Sequence, residues 1–203
     1  MRYEKGRKDA SRQRITDVAA ERFRRDGIAA SGLAGIMGEA GLTNGAFYPH
    51  FPSKAALVRE SVAAALTDQS DQIGGLLAAG GPSLAIDAYL SAEHRDNPGK
   101  GCASAALLPE IAREPAETRQ VYAERFLSLV HQLSAELPPS TRDPEGVALG
   151  VFATLIGALE LSRAVEGTAL SDRILEAGAA AAKVQLQPRG NDEPAARNHH
   201  DRA

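Results

Sequence analysis

Apolar residues recur along most of this chain at the three- and four-residue spacing of α-helices. Between residues 9 and 26, for example, Ile15, Ala19 and Phe23 fall on one face and charged residues surround them. Alanine is common, β-branched residues are few, and no segment has the convincing pattern of a strand. The pattern predicts an all-α protein of about nine helices. They are expected over residues 9–26, 31–40, 43–50, 54–70, 82–93, 102–113, 116–137, 144–165 and 171–186.

Local signals support several of these boundaries. Gly27 follows the first helix, where a residue with positive φ is common. Ser53 and Asp143 are N-cap residue types, and Asp143 precedes Pro144, which suits the first position of a helix. The glycines at 80–81, followed by a proline, predict a break between two helices.

Charge is divided unevenly between the two parts of the chain. The formal net charge is −3, but residues 1–60 hold 11 Lys and Arg against 7 Asp and Glu, and the remainder holds 12 against 19. A basic N-terminal part can bind phosphates while the rest of the protein stays acidic. Ordinary variation in surface charge would give the same numbers, so charge alone leaves DNA binding open.

The composition narrows the class of protein further. Cys102 is the single cysteine, so neither an internal disulfide framework nor a multi-cysteine metal site is expected. The N-terminus is polar, unlike a signal peptide, and no apolar stretch approaches the length that spans a bilayer. We expect a cytoplasmic protein with no membrane association.

Residues 27–57 have the pattern of a helix-turn-helix. Two short predicted helices meet at Gly41, which suits a tight turn. Apolar residues between 33 and 47 can pack this pair against the helix that carries Phe23. The other side presents polar groups suited to base edges and phosphates, namely Thr43, Asn44, Gly45, Tyr48 and His50.

The run AGLTNGAFYPHFPSKAALV at residues 40–58 closely resembles the DNA-binding domain of TetR-family repressors. The resemblance extends over about residues 9–60, through Ile15, Ala19, Phe23, Gly27, Ser31 and Ile36. It departs from the family pattern at Gly32, where Ser or Thr is frequent, and at Ala56, where Glu is frequent. The loss of Glu removes a possible capping box with Ser53.

The resemblance implies that the helix 43–50 enters the major groove of DNA. Thr43 would contact a phosphate, and Asn44, Gly45 and Ala46 would lie nearest the base edges. Tyr48, His50 and Lys54 would contact backbone phosphates. Arg14 and Ser31 complete the expected set of DNA contacts, and Arg7 and Arg12 could add to it.

The resulting division of the chain has four parts. Residues 1–8 are expected to form a flexible basic arm, and residues 9–60 the DNA-binding domain. Residues 61–187 are expected to form a ligand-binding and dimerisation domain, and the polar residues 188–203 a disordered tail.

The predicted helix 144–165 is apolar nearly all round, which suggests pairing with a second copy in a four-helix bundle. A fully buried core helix of a monomer is the alternative. The expected dimer contacts are Val147, Gly150, Val151, Thr154, Gly157, Leu161 and Ile174. The candidate ligand contacts, each of which could equally be ordinary core, are Tyr89, Cys102, Leu107, Ile111, Tyr122, Phe126 and Leu129.

Cys102 opens the predicted helix 102–113, and its segment resembles a TetR subgroup with a cysteine at the start of the sixth helix. Some regulators of that kind respond to electrophiles or oxidants. A helix N-terminus favours the thiolate, and Lys100 lies two residues away. The alternative is a small packing residue.

These features together predict a homodimeric repressor that a small-molecule or electrophile inducer releases from a palindromic operator in double-stranded DNA. An activator, or a ligand-binding helical protein without a functional operator, remains an alternative. Glu110 and Glu114 lie one turn apart, but a solvated helix face explains them, and no catalytic residue, cofactor or metal site is expected.

Overall fold

A computed structural model describes the chain from Arg2 to Gln187. Across these residues it is all-α, as predicted, with eight α-helices, two short 3₁₀ turns and no strand. The expected tail at 188–203 lies outside the described residues. The helices are α1 (Arg2–Asp26), α2 (Leu33–Glu39), α3 (Lys54–Tyr89), α4 (Ala92–Asp96), α5 (Ala103–Ile111), α6 (Ala116–Ser134), α7 (Pro144–Ala164) and α8 (Ala169–Gln185).

The N-terminal end of the first helix differs from the prediction. Residues 2–8, expected as a flexible arm, belong to α1, which begins at Arg2 instead of Asp9. Lys and Arg are good helix formers, and Gly6 is the one residue in this segment with a poor helix propensity. The apolar periodicity begins only near Ile15, since residues 6–10 are exposed, so it could not locate this end.

The predicted break near residue 80 is present but is shorter than expected. One long helix, α3, continues from Lys54 to Tyr89 and is interrupted by the non-helical backbone of Gly80 and Gly81. Gly81 has a φ of 70°, which favours glycine, and Pro82 directly follows it. The prediction that a new helical segment begins at Pro82 is confirmed by this break, and its end is corrected from residue 93 to Tyr89, beyond which α4 begins.

Three aromatic side chains organise the N-terminal part. Phe23 on α1, and Phe47 and Phe51 between α2 and α3, are at most 1% exposed. The Arg12 guanidinium lies 4.3 Å from the Phe51 ring centroid and also pairs with Glu60 of α3. These contacts fix the segment between α2 and α3 against both longer helices.

In the C-terminal part α6 packs on α3, and α7 packs closely along α8. A Cβ placed on Gly178 of α8 would lie 2.4 Å from the Cβ of Ala158 on α7, so the glycine permits this close approach. Helix α7 is long and apolar enough to cross a bilayer, contrary to the expectation that no stretch of the chain has this length. It buries Val151, Leu155 and Leu159 against the other helices, as the core helix of a globular domain does.

Candidate nucleic-acid interface and cavity

The segment expected to read DNA is a tight turn and not the predicted helix 43–50. Asn44–Ala46 form a single 3₁₀ turn, and further turns follow to His50. Asn and Gly are poor helix formers, and Pro49 disfavours the helical conformation of Tyr48. Thr43 precedes the turn, and its side chain makes no cap bond to it.

The buried face of this turn fixes its exposed face. Phe47 and Phe51 stack with ring centroids 5.7 Å apart, while Tyr48, between them in sequence, is 69% exposed. Among the expected DNA contacts, Thr43, Asn44, Gly45, Tyr48 and Arg14 are exposed, and Ala46, His50 and Lys54 are half-buried. The turn therefore presents one row of polar groups to solvent.

Ser31 does not belong to this surface, and its assignment as a DNA contact is corrected. Its side chain is fully buried, and its hydroxyl donates to the carbonyl of Gly27 at 2.7 Å. Lys54 also has an internal partner, since its ammonium donates to the Ile28 carbonyl at 2.6 Å. An ammonium has three N–H groups, so two of them remain for a phosphate.

Two basic side chains, those of Lys8 and Arg12, lie near His50. Burial lowers the pKa of His50, and the positive charges of Lys8 and Arg12 lower it further. Arg12 is held internally, because it donates to the His50 carbonyl and pairs with Glu60. Lys8 is exposed and was missed as a candidate contact, since its place beside the turn depends on α1 extending to Arg2.

A cavity of about 680 Å³ lies in the C-terminal part. Its walls come from α3, the segment between residues 88 and 102, α6 and α7. The apolar lining includes Ile73, Leu76, Pro82, Ala85, Ile86, Leu133, Val151, Phe152 and Leu155. The polar lining includes Gln69, Gln72, Tyr89, Ser91, Glu93, His94, Asn97, Lys100 and Cys102.

Only Tyr89 and Cys102 of the seven expected ligand contacts line this cavity. Leu107, Ile111 and Leu129 are buried core residues away from it, at most 2% exposed. Tyr122 hydrogen-bonds Ser104 at 2.9 Å and stacks on Phe126 with ring centroids 5.8 Å apart. Their assignment to the ligand pocket is corrected, because periodicity marks an inward face without separating core from cavity wall.

The Cys102 thiol is the N-cap of α5. Its sulfur accepts from the Ala105 amide at 3.5 Å and from Gln69 Nε2 at 3.2 Å. The residue is 3% exposed and forms part of the cavity wall. The expected position at a helix start is confirmed, and the thiol is accessible only through the cavity.

His94 holds the same wall in place. Its Nδ1 lies 2.7 Å from the Tyr89 carbonyl, and its Nε2 accepts from the Cys102 amide at 2.9 Å. These partners fix a neutral ring with the proton on Nδ1. Burial lowers the pKa of His94 and the charge of Arg163 lowers it further, against the hydrogen bond to Tyr89. Burial also raises the pKa of the Tyr89 hydroxyl.

Helix α5 connects this wall to the N-terminal part. Near its other end, the carboxylate of Glu110 accepts from the amides of Ile28 and Ala29 at 3.1 and 2.9 Å. The expectation that Glu110 lies on a solvated face is wrong. A second link runs from Arg24 Nε of α1 to the Gly99 carbonyl at 2.7 Å, and burial lowers the pKa of Arg24.

The expected dimer contacts divide between the surface and the core. Gly157 and Leu161 are exposed on α7, and Val147, Gly150, Thr154 and Ile174 are half-buried. Val151 is fully buried within the chain and lines the cavity, so it is corrected from an interface to a cavity residue. The described residues also contain no cluster of three or more His, Cys, Asp or Glu side chains suited to a metal ion.

The lowered pKa of His94 predicts a loss of stability in acid. The unfolded chain binds the His94 proton more readily than the folded chain, so this contribution is complete above the ordinary pKa of about 6.5 and declines as the pH falls through it. Urea unfolding at about pH 8 and about pH 5.5 measures the effect. His94→Asn should be less stable than the parent at the higher pH and lose less on acidification. A loss in His94→Asn equal to that of the parent would contradict the assignment.

Comparisons with known proteins agree with this geometry. Residues 15–61, which contain the turn, α2 and the adjoining parts of α1 and α3, match the family model described as bacterial regulatory proteins, tetR family. A comparison with curated protein sequences gives no significant match.

Solved structures show the same fold over most of the chain. The reduced form of NemR from E. coli is 19% identical, with a TM-score of 0.74 over 90% of this chain and 100% of NemR. A TetR-family regulator from Cytophaga hutchinsonii is 22% identical, with a TM-score of 0.73 over 89% of this chain and 94% of its own. FadR from Bacillus subtilis, in complex with stearoyl-CoA, is 16% identical, with a TM-score of 0.62 over 82% of this chain and 97% of FadR. The N-terminal part of the chain thus matches the tetR family model, and the fold beyond it is that of these solved structures.

Proposed function

We propose that this chain is a homodimeric repressor that binds a palindromic operator and leaves it when a small molecule or electrophile enters the C-terminal cavity. The observation that carries the proposal is the exposed polar row Thr43, Asn44 and Tyr48, held by the buried rings of Phe47 and Phe51. A rigid turn with polar side chains on one side suits the major groove.

The side chains of this row suggest how DNA is read. Asn44 has an amide that can pair with both N6 and N7 of adenine, whereas Gly45 and Ala46 offer only close approach and methyl contact. Thr43, Tyr48 and His50 suit phosphates, together with Lys8, Arg14 and Lys54. Sequence preference then depends mainly on Asn44 and on the shape of the DNA.

An exposed apolar strip supports the homodimer. Leu149 and Leu161 of α7 are 44% and 61% exposed, and Val184 of α8 is 64% exposed. A Cβ on Gly157 of α7 would meet no atom of this chain, which leaves room for a partner helix. Pairing of this strip with the same strip of a second copy gives a two-fold axis, and a palindromic operator matches that symmetry.

The cavity supports control by a small molecule. Its volume of about 680 Å³ and its largely apolar wall are typical of sites for compounds of drug size. FadR of Bacillus subtilis, which shares the fold, was crystallised with stearoyl-CoA, so this fold can hold a ligand that carries a long acyl chain. A ligand releases DNA only as far as it prefers the conformation that does not fit the operator.

Helix α5 is the proposed connection between ligand and DNA. Its N-cap, Cys102, forms part of the cavity wall, and its Glu110 binds the loop that enters α2. A displacement of α5 by a ligand would move the Ile28–Ala29 loop and change the angle of the DNA-reading turn. An activator working through the same coupling is the alternative, and it would differ in the position of its operator relative to the promoter.

Cys102 supports an electrophile as a second kind of inducer. The thiol can add to the electrophilic carbon of a quinone or an aldehyde, with its proton passing to the product. The adduct would occupy the cavity and disturb the cap of α5, because the sulfur would lose its bonds to Ala105 and Gln69. This path needs no second cysteine.

Footprinting on the chain's own upstream DNA tests operator binding. We expect two protected half-sites about one helical turn apart, with affinity that falls steeply as salt rises. Asn44→Ala should weaken binding by about 1–3 kcal/mol and relax the preference at one base pair, whereas Lys8→Ala should reduce the salt slope by about 1. Arg119→Ala, on exposed α6, is the matched control and should change neither. If selection from genomic fragments at moderate salt yields no specific site, the regulator proposal fails.

Glu110→Ala tests the coupling through α5. The variant should still bind the operator, but release by a compound that displaces the parent chain should need about tenfold more of it, within the usual range of coupling energies. The compound is taken from a panel of quinones, aldehydes and neutral aromatic amides. Glu114→Ala, one turn further along, is the control and should respond like the parent. Equal sensitivity of Glu110→Ala and the parent would remove Glu110 from the coupling.

Cys102→Ser tests the electrophile path. Benzoquinone should release the parent chain from its operator, and the variant should remain bound because a hydroxyl does not form the adduct at neutral pH. Mass spectrometry of the intact chain gives the number of adducts alongside the DNA measurement. Release of the variant at the same benzoquinone concentration would contradict a sensing role for this thiol.

A further inference from the structure

Two buried polar atoms in the cavity wall have no hydrogen-bond partner. They are Oε1 of Gln69 and the hydroxyl oxygen of Tyr89. The two residues are 8% and 7% exposed, and both line the cavity. A buried polar atom without a partner destabilises a fold, so such atoms usually mark a function or an absent partner.

Both groups are oriented by their neighbours. Gln69 Nε2 donates to the Cys102 sulfur, which leaves Oε1 as a free acceptor. The Tyr89 ring meets the His94 ring edge-on at 4.7 Å. Burial raises the pKa of the Tyr89 hydroxyl, and a weak contact with the Cys102 thiol raises it further, but no nitrogen or oxygen atom of the described residues pairs with this hydroxyl. The acceptor and the hydroxyl thus meet at one end of the cavity, beside the sulfur.

The ionisable side chains of the cavity do not provide a counter-ion for a ligand bound beside Gln69 and Tyr89. Glu93 and Lys100 line the cavity but are exposed to solvent. Both ring nitrogens of His94 are occupied, by the Tyr89 carbonyl and the Cys102 amide. Arg163, whose charge acts on the Tyr89 hydroxyl, is already paired with Glu160 and donates to the carbonyls of His94 and Arg95. A carboxylate or an ammonium bound beside Gln69 and Tyr89 would therefore lose its hydration without gaining an unpaired opposite charge, which is costly.

We infer that the inner end of the cavity binds an uncharged head group that both donates and accepts hydrogen bonds, of the carboxamide or hydroxyl class, on an apolar body. The head donates to Gln69 Oε1 and accepts from the Tyr89 hydroxyl. The body packs against apolar side chains that include Ile86, Leu133 and Phe152. This inference rests on the proposed ligand-sensing role and narrows it to one ligand class.

Calorimetry with three compounds of similar shape tests the inference: hydrocinnamamide, hydrocinnamate and butylbenzene. The full-length parent chain should bind the amide at least about tenfold more tightly than the carboxylate. Tyr89→Phe and Gln69→Leu should each weaken binding of the amide by about tenfold. The same variants should bind butylbenzene more tightly than the parent does, because they remove an unsatisfied polar atom.

Tyr122→Phe is the matched control, because its hydroxyl pairs with Ser104 outside the cavity, and it should bind all three compounds like the parent. Unfolding measurements on each variant show that the fold is retained. Equal or tighter binding of hydrocinnamate, no response to the two cavity substitutions, or no binding of any compound would each overturn the inference. Operator binding by the same preparations is a separate readout. If the amide binds but does not release DNA, the sensing role is refuted and the ligand class is not. If DNA is released solely by compounds outside the carboxamide and hydroxyl classes, the ligand class is refuted and the sensing role is not.

Discussion

The carboxylate of Glu110 joins the C-terminal end of α5 to the main chain of the N-terminal part. One of its oxygens accepts a hydrogen bond from the Ile28 amide, and the other accepts from the Ala29 amide. These amides belong to the loop between α1 and α2, so the position of the helix-turn-helix depends on that of α5. Gly27 leaves room for the contact, since a Cβ there would lie 3.2 Å from the carboxylate, and its φ of 86° also favours glycine. Lys54 completes the junction from α3 through its bond to the Ile28 carbonyl.

The other end of α5 is equally constrained, by groups that belong to the cavity. Cys102 caps the helix, and its own amide is held by His94. A Cβ on Gly101 would lie 2.5 Å from His94 Nε2, so this approach needs a glycine. A ligand that contacts this wall therefore acts on a helix of nine residues whose far end holds the DNA-binding part. This short path connects the proposed ligand site to the proposed operator contacts.

Features set by neighbours in sequence were predicted well. The positive φ of Gly27 and Gly41 and the caps at Ser53 and Asp143 follow from local geometry, and the structure confirms them. The all-α class and the helix-turn-helix came from periodicity and from the resemblance to TetR proteins. The helix expected at 43–50 is wrong, because Pro49 disfavours the helical conformation of Tyr48 and only a 3₁₀ turn forms at Asn44–Ala46.

Features set by tertiary contacts could not be predicted in this way. Serine is a typical helix-cap residue at a protein surface, yet Ser31 is buried and bonds Gly27. Glu110 has the sequence context of a solvated residue, yet it binds a loop more than 80 positions away. Gln69 carries no motif, yet the fold turns it into the cavity beside Cys102. Inward-facing positions such as Leu107 and Val151 look alike in sequence, and only the packing separates core from cavity wall.

Hydrogen exchange at the Ile28 and Ala29 amides tests the central claim, that α5 carries the effect of the cavity to the DNA-binding part. These amides are protected as long as Glu110 accepts from them. A compound that fills the cavity and releases the operator should accelerate exchange at both amides while the core of α7 stays protected. Release of the operator with unchanged exchange at Ile28 and Ala29 would contradict this account.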